Sequence, residues 1–161
     1  MIVGIHHVAI GVPDFDAGLK FYTEVLGFEQ VEQSAFSGSN PMVEAAIGLT
    51  EPTAKMAMLR GGNAHIELWQ YEKPQPQDLR SRPCDYGYPH IALEVKDIQA
   101  EHARLSAAGM NFVGPPVEFG DSAAVYGSDP FGNVIEIYEI RDPERAQIGN
   151  TPLGKASAPS A

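Results

Sequence analysis

His7-Val8-Ala9-Ile10-Gly11-Val12 and, 83 residues on, His90-Ile91-Ala92-Leu93-Glu94-Val95 read as one strand written twice. Each run opens on a histidine and alternates small with aliphatic side chains, the period-two signature of a strand with one buried face. Asp14 and Asp97, again 83 apart, follow as helix N-caps. A second pair repeats near the end of each half. Glu67 stands in His65-Ile66-Glu67-Leu68-Trp69, and Glu136 in Val134-Ile135-Glu136-Ile137-Tyr138. Internal duplication of this kind implies two copies of one supersecondary unit. The expected fold is α+β: two βαβββ modules forming a curved mixed sheet, a half-barrel with helices outside.

Working outward, Leu19, Tyr22, Val25 and Leu26 recur at helical spacing after Asp14, and Gly27 suits the helix end. Phe28–Phe36, Ala54–Arg60 and Ala64–Tyr71 read as strands, with Gly61-Gly62-Asn63 as a turn. Pro41–Leu49 allows a short helix. The first module is expected over residues 1–71. Residues 72–88, with Pro74, Pro76 and Pro83, read as a linker. The second module spans 89–141: the His90 strand, a helix carrying Ile98 and Leu105 and ending at Gly109, short strands at Val117–Phe119 and Ala123–Gly127, a turn at Asp129-Pro130-Phe131-Gly132-Asn133, and a last strand at Val134–Ile140. Residues 142–161 are rich in proline and small residues and are expected to form a mobile or partner-clasping tail.

Strand parity selects the functional face. Val8, Ile10 and Val12 share one face of the first strand, which leaves His7, Ala9 and Gly11 on the other. The same rule sets Ile91 and Leu93 against His90 and Ala92, Ile66 and Leu68 against Glu67, and Ile135 and Ile137 against Glu136. The aliphatic faces suit packing on helices. The opposite faces carry His7, Glu67, His90 and Glu136 beside alanine and glycine, which leave room for an ion and a substrate. His6 falls on the face of Val8 and Ile10, so His7 is the better ligand; His65 shares Glu67's face and is a substitute or supporting group. Burying two carboxylates in one cleft without a cation is costly. Two imidazoles and two carboxylates suit one divalent metal ion, with zinc, nickel, cobalt, manganese and iron all open.

Composition narrows the class. No apolar run approaches the ~20 residues of a membrane helix, and the first residues enter a strand pattern without a leader-like segment. One cysteine, Cys84, rules out an internal disulfide framework and points to a cytoplasmic home; it reads as an incidental thiol. A formal charge of −10 argues against nucleic acid and anionic membrane as partners.

The chain resembles the vicinal oxygen chelate superfamily, the group of glyoxalase I, methylmalonyl-CoA epimerase, extradiol dioxygenases and bleomycin-resistance proteins. The resemblance covers about residues 4–140 and rests on His7-Val8-Ala9-Ile10, Phe21-Tyr22-Thr23-Glu24-Val25-Leu26-Gly27-Phe28, Ile66-Glu67-Leu68, His90-Ile91-Ala92-Leu93 and Asp129-Pro130-Phe131-Gly132-Asn133-Val134-Ile135-Glu136. It implies paired βαβββ modules, a homodimer acting on a small molecule, and one metal ligand from each of four strands. Those positions are His7, Glu67, His90 and Glu136.

The preferred reading is a lyase, isomerase or epimerase that abstracts a proton next to a carbonyl, with the metal as Lewis acid. The resemblance makes a ligand carboxylate, Glu67 or Glu136, the base. Glyoxalase I relatives place basic groups around glutathione carboxylates; here Ile10, Gly11 and Gly114-Pro115-Pro116-Val117-Glu118 offer none. Arg60, Arg80 and Arg82 read as solvated loop charges. A ring-cleaving dioxygenase would use His7, His90 and Glu136 on iron, with Tyr126 and Tyr138 in support. A drug-sequestering module would use Trp69, Tyr71, Phe119 and Tyr126 as an aromatic pocket.

Overall fold

A computed structural model describes residues 2, 4–80, 82–145 and 148. The chain divides after Asp78 into two compact units, each with its own mixed sheet.

The first unit runs β1 (His7–Gly11), α1 (Phe15–Lys20), β2 (Glu29–Phe36), α2 (Pro41–Ile47), β3 (Thr53–Gly61) and β4 (Ala64–Lys73). Its sheet order is β1-β4-β3-β2, with β1 parallel to β4 and the other pairs antiparallel. The Asp14 carboxylate accepts the Ala17 N–H at 3.0 Å and starts α1, a cap worth about 1 kcal/mol. The helix passes into a π-helical turn over Phe21–Val25. Gly27 follows at φ 77°, the left-handed geometry expected of it. Phe15, Tyr22, Leu59 and Leu68 are buried to within 1%. Each such apolar side chain stabilises the fold by about 1.5–3 kcal/mol, so the aliphatic faces of β3 and β4 and the inner face of α1 hold this unit together.

The second unit runs β5 (Ile91–Glu94), α3 (Ile98–Ala107), β6 (Asn111–Phe112), β7 (Val117–Glu118), β8 (Ser122–Ser128) and β9 (Val134–Ile140). Its sheet order is β5-β9-β8-β6, β7 also pairs with β8, and β5 lies parallel to β9. Asp97 caps α3 by accepting the Ala100 N–H at 3.2 Å. Ile98, Leu105, Ile135 and Ile137 form the centre of the core.

The α+β class and the two βαβββ modules expected from the repeat are present. The short helix that Pro41–Leu49 allows forms over Pro41–Ile47, capped by Asn40 and ended by Gly48 at φ 70°. Two details differ. His90 sits just before β5 rather than inside it. The two-residue strand β6 was too short to leave a periodic signal. Between the modules, β4 extends to Lys73, and the described residues from there to Ile91 carry turns and bends without further strand or helix. Of the expected tail, residues 142–145 and 148 are described. No helix among the described residues is long and apolar enough to cross a membrane.

Candidate metal centre

Each unit brings one histidine and one glutamate together, in matching ways. In the first, His7 Nε2 lies 3.4 Å from Glu67 Oε2. In the second, His90 Nε2 lies 3.3 Å from Glu136 Oε2. The sheet register produces both pairs. Ala9 is the β1 partner of Glu67, and Ala92 is the β5 partner of Glu136. An alanine beside each glutamate leaves space over which the histidine two residues earlier can reach the carboxylate. The buried neighbours alternate as parity requires: Ile66 and Leu68 flank Glu67 on the core side, Ile135 and Ile137 flank Glu136.

These separations suit a shared ion better than a direct ion pair. A charge-assisted N–H···O bond is shorter, about 2.7–2.9 Å. Two donors each ~2.0–2.1 Å from a tetrahedral metal stand about 3.3–3.4 Å apart. In each unit the donor chemistry and the spacing therefore fit one edge of a coordination polyhedron. Among the described residues no three such side chains gather around one point; each unit supplies a pair.

Aromatic residues hold both carboxylates. Trp69 Nε1 donates to Glu67 Oε2 at 2.8 Å, and Tyr71 stacks on Trp69 with centroids 5.1 Å apart. Burial, and then the nearby Glu67 charge, push the Tyr71 hydroxyl pKa up. In the second unit Tyr126 is the cross-strand partner of Glu136. Its hydroxyl lies 3.4 Å from His90 Nε2, and burial followed by the Glu136 charge raises its pKa. The Tyr126 hydroxyl also hydrogen-bonds the Glu136 side chain. The turn that delivers Glu136 is organised by buried Asp129. Its Oδ1 accepts the N–H groups of Phe131 and Asn133 at 2.9 and 2.8 Å, and its Oδ2 accepts the Asn133 side-chain amide at 2.8 Å.

Glu136 also lies on the wall of a pocket of about 710 Å³ within the second unit. Val113, Val117 and Phe119 give it an apolar side; Tyr126, Tyr138 and Arg145 give it a polar one. Arg145 donates to the Tyr138 hydroxyl at 2.8 Å and pairs with Asp121 at 3.2 Å. Arg145 carries no sequence signal: it lies in an aperiodic segment beyond the last strand. The aromatic set Trp69, Tyr71, Phe119 and Tyr126 divides between the units, with Phe119 and Tyr126 at this pocket. His65 turns to His6, with its Nδ1 3.3 Å from the His6 carbonyl oxygen. Arg60 pairs with Glu29 and Arg82 with Asp85. Arg80 is exposed, as expected of a loop charge, and it also donates to the Phe131 carbonyl and packs at Gly132, beside the Asp129 turn. Cys84 is exposed.

Comparisons with known proteins identify the family and the fold. Residues 4–137 match the model of the glyoxalase/bleomycin resistance protein/dioxygenase superfamily. A 2-epi-5-epi-valiolone epimerase from Actinomyces sp is 31% identical over 146 residues, covering 86% of this chain and 80% of the relative. A lactoylglutathione lyase from Haemophilus influenzae is 29% identical over 156 residues, covering 91% and 98%. In three dimensions, a glyoxalase family protein from Bacillus cereus superposes with a TM-score of 0.79 at 23% identity, covering 87% of this chain and 95% of that one, a likeness of fold. With its duplicated βαβββ units and paired histidine–glutamate strands, the chain belongs to the glyoxalase/bleomycin resistance protein/dioxygenase superfamily.

Proposed function

We propose that this protein is a metal-dependent isomerase of the epimerase type, which removes and returns a proton on the carbon next to a carbonyl. His7, Glu67, His90 and Glu136 would together hold one divalent ion. When bound, that ion supplies Lewis acidity to the substrate's carbonyl oxygen. The observation that carries the reading is the placement of Glu136, which faces its histidine and a pocket at the same time.

Of the two glutamates, Glu136 is the better proton acceptor. Glu67 has one oxygen committed to the Trp69 N–H at 2.8 Å, while Glu136 faces open volume that a substrate can enter. A base must come within hydrogen-bond reach of the proton it takes, and a carboxylate on the pocket wall meets that requirement. Tyr126, neutral and beside Glu136, holds the carboxylate's orientation between removal and return of the proton. Val113, Val117 and Phe119 give the substrate's carbon skeleton an apolar side to lie against.

The pocket favours a small, oxygen-rich, uncharged carbonyl compound over a glutathione conjugate. Arg145 is the one cation among its lining residues, and Asp121 already neutralises it. Carboxylates of a glutathione conjugate would find no surplus positive charge there. Tyr138 and Arg145 suit hydroxyl groups. The similarity to a protein named 2-epi-5-epi-valiolone epimerase supports an epimerase.

The test is solvent-proton exchange. Protein loaded in turn with zinc, nickel, cobalt, manganese or ferrous iron is incubated in D₂O with 2-epi-5-epi-valiolone and, separately, with a 2-oxoaldehyde hemithioacetal of glutathione. Deuterium should enter the carbon next to the carbonyl of the first compound, and Glu136→Gln should reduce that rate by at least about 100-fold. Full exchange by the variant would remove Glu136 as the base. Exchange confined to the hemithioacetal would replace the proposed substrate class with thiol conjugates.

A further inference from the structure

His6 adjoins a metal-ligand candidate yet has no part in the reading above. Its side chain sits in an ordered arrangement. His6 Nδ1 lies 2.9 Å from His7 Nδ1, and the two rings meet edge-on at 87° with centroids 5.2 Å apart. The other side of His6 is covered by His65, stacked at 5.0 Å and nearly parallel at 11°, while His65 Nδ1 lies 3.3 Å from the His6 carbonyl oxygen.

The tautomers follow from chemistry. A neutral imidazole has one N–H and one lone pair. If His7 Nε2, the nitrogen facing Glu67, gives its lone pair to an ion, the proton must reside on His7 Nδ1. That N–H then points at His6 Nδ1, which must accept, so His6 carries its own proton on Nε2. Ligand histidines commonly donate the back N–H to a carboxylate, a carbonyl or water, which fixes both tautomer and ring plane. Here a second imidazole fills that position. The other half of the donor set lacks such support: His90 Nδ1 is buried without a hydrogen-bond partner.

We infer that His6 is a positioning residue that holds His7 in the metal-binding tautomer and ring orientation, with His65 bracing His6 by stacking. This rests on the reading of His7 as a metal ligand, and the experiment separates the two. The probe is Co²⁺ alone, titrated in competition with a chelator into metal-free protein, for the wild type and for His7→Ala, His6→Ala and His6→Asn. His7→Ala should abolish tight binding; binding at wild-type strength would overturn the reading of His7 itself. His6→Ala should weaken binding about 10–100-fold, the usual effect of losing a partner behind a ligand. His6→Asn, whose amide oxygen can accept the same N–H, should restore part of it.

A second readout looks at His6 itself. In ¹⁵N imidazole spectra of the Zn²⁺-loaded protein, His6 should carry its proton on Nε2, because its Nδ1 accepts from His7 Nδ1. Unchanged Co²⁺ affinity in His6→Ala, a His6 that carries its proton on Nδ1 in the loaded protein, or failure of His6→Asn to recover affinity would each overturn the role assigned to His6.

Discussion

Trp69 Nε1 donates to Glu67 Oε2 across 2.8 Å, from a position two residues further along the same strand. Residues i and i+2 of a strand share a face, so the indole stands beside the carboxylate on the site side of β4. The contact gives the sole tryptophan of the chain a place next to a proposed ligand. Adding Co²⁺ or Ni²⁺ to metal-free protein should therefore quench the intrinsic tryptophan fluorescence. Trp69→Phe keeps an aromatic ring for Tyr71 to stack on but removes the N–H. It should lower metal affinity about 10–100-fold and change the thermal midpoint little. An affinity equal to wild type would mean that this hydrogen bond does not orient Glu67.

Glu139 ties β9 to the start of α3. Its Oε1 accepts the Asp97 N–H at 2.7 Å, and its Oε2 accepts from Arg141 at 2.8 Å. Burial by itself would raise its pKa, but the bonds from Arg141 and from the backbone of Asp97 and Ile98 outweigh it, and the net shift is downward. A carboxylate with a depressed folded pKa contributes stability above its unfolded value, ~4.3, and that contribution is lost as pH falls through the folded pKa. Glu139→Gln should cost about 1–3 kcal/mol near neutral pH. The gap from wild type should narrow as pH drops below ~4.3. Urea unfolding at several pH values checks this; a constant gap would contradict it.

Gly61 ends β3 against the ring of Phe28, where an added Cβ would stand 1.8 Å from a ring carbon. Phe28 stacks in turn on buried Tyr22, so the ring has little freedom to retreat. Gly61→Ala should destabilise the first unit by about 1–3 kcal/mol, measured by thermal or urea unfolding. Phe28→Ala in the same background should relieve the clash, so that the double variant costs less than the sum of the single ones.

Much of this arrangement was legible in the residues. The duplicated histidine strand and aspartate caps announced two modules. Parity alone put Glu67 and Glu136 opposite the buried Ile66, Leu68, Ile135 and Ile137, because a strand with one apolar face leaves no choice of side. Parity chose His7 over His6 as the ligand but gave no sign of the contact between their rings: β1 begins at His7, so the alternation that assigns faces does not bind the residue before it. Trp69 and Tyr126 read as packing or pocket residues. Their hydrogen-bond partners are fixed by rotamer and cross-strand register, and neither can be counted off a sequence. Arg145 and Asp121 belong to segments without periodicity, so their meeting depends on how the chain turns after β9. The unpromising Arg80 proved to be part of the frame of the Asp129 turn for the same reason.

The proposed ligands His7, Glu67, His90 and Glu136 would serve one divalent ion and not two. Metal stoichiometry by elemental analysis, run on metal-saturated and desalted wild type, on His7→Ala/Glu67→Ala and on His90→Ala/Glu136→Ala, tests this most directly. One ion per chain in the wild type and none in either double variant is the predicted result. Two ions per chain in the wild type with one kept by each variant, or no ion retained by the wild type, would contradict it.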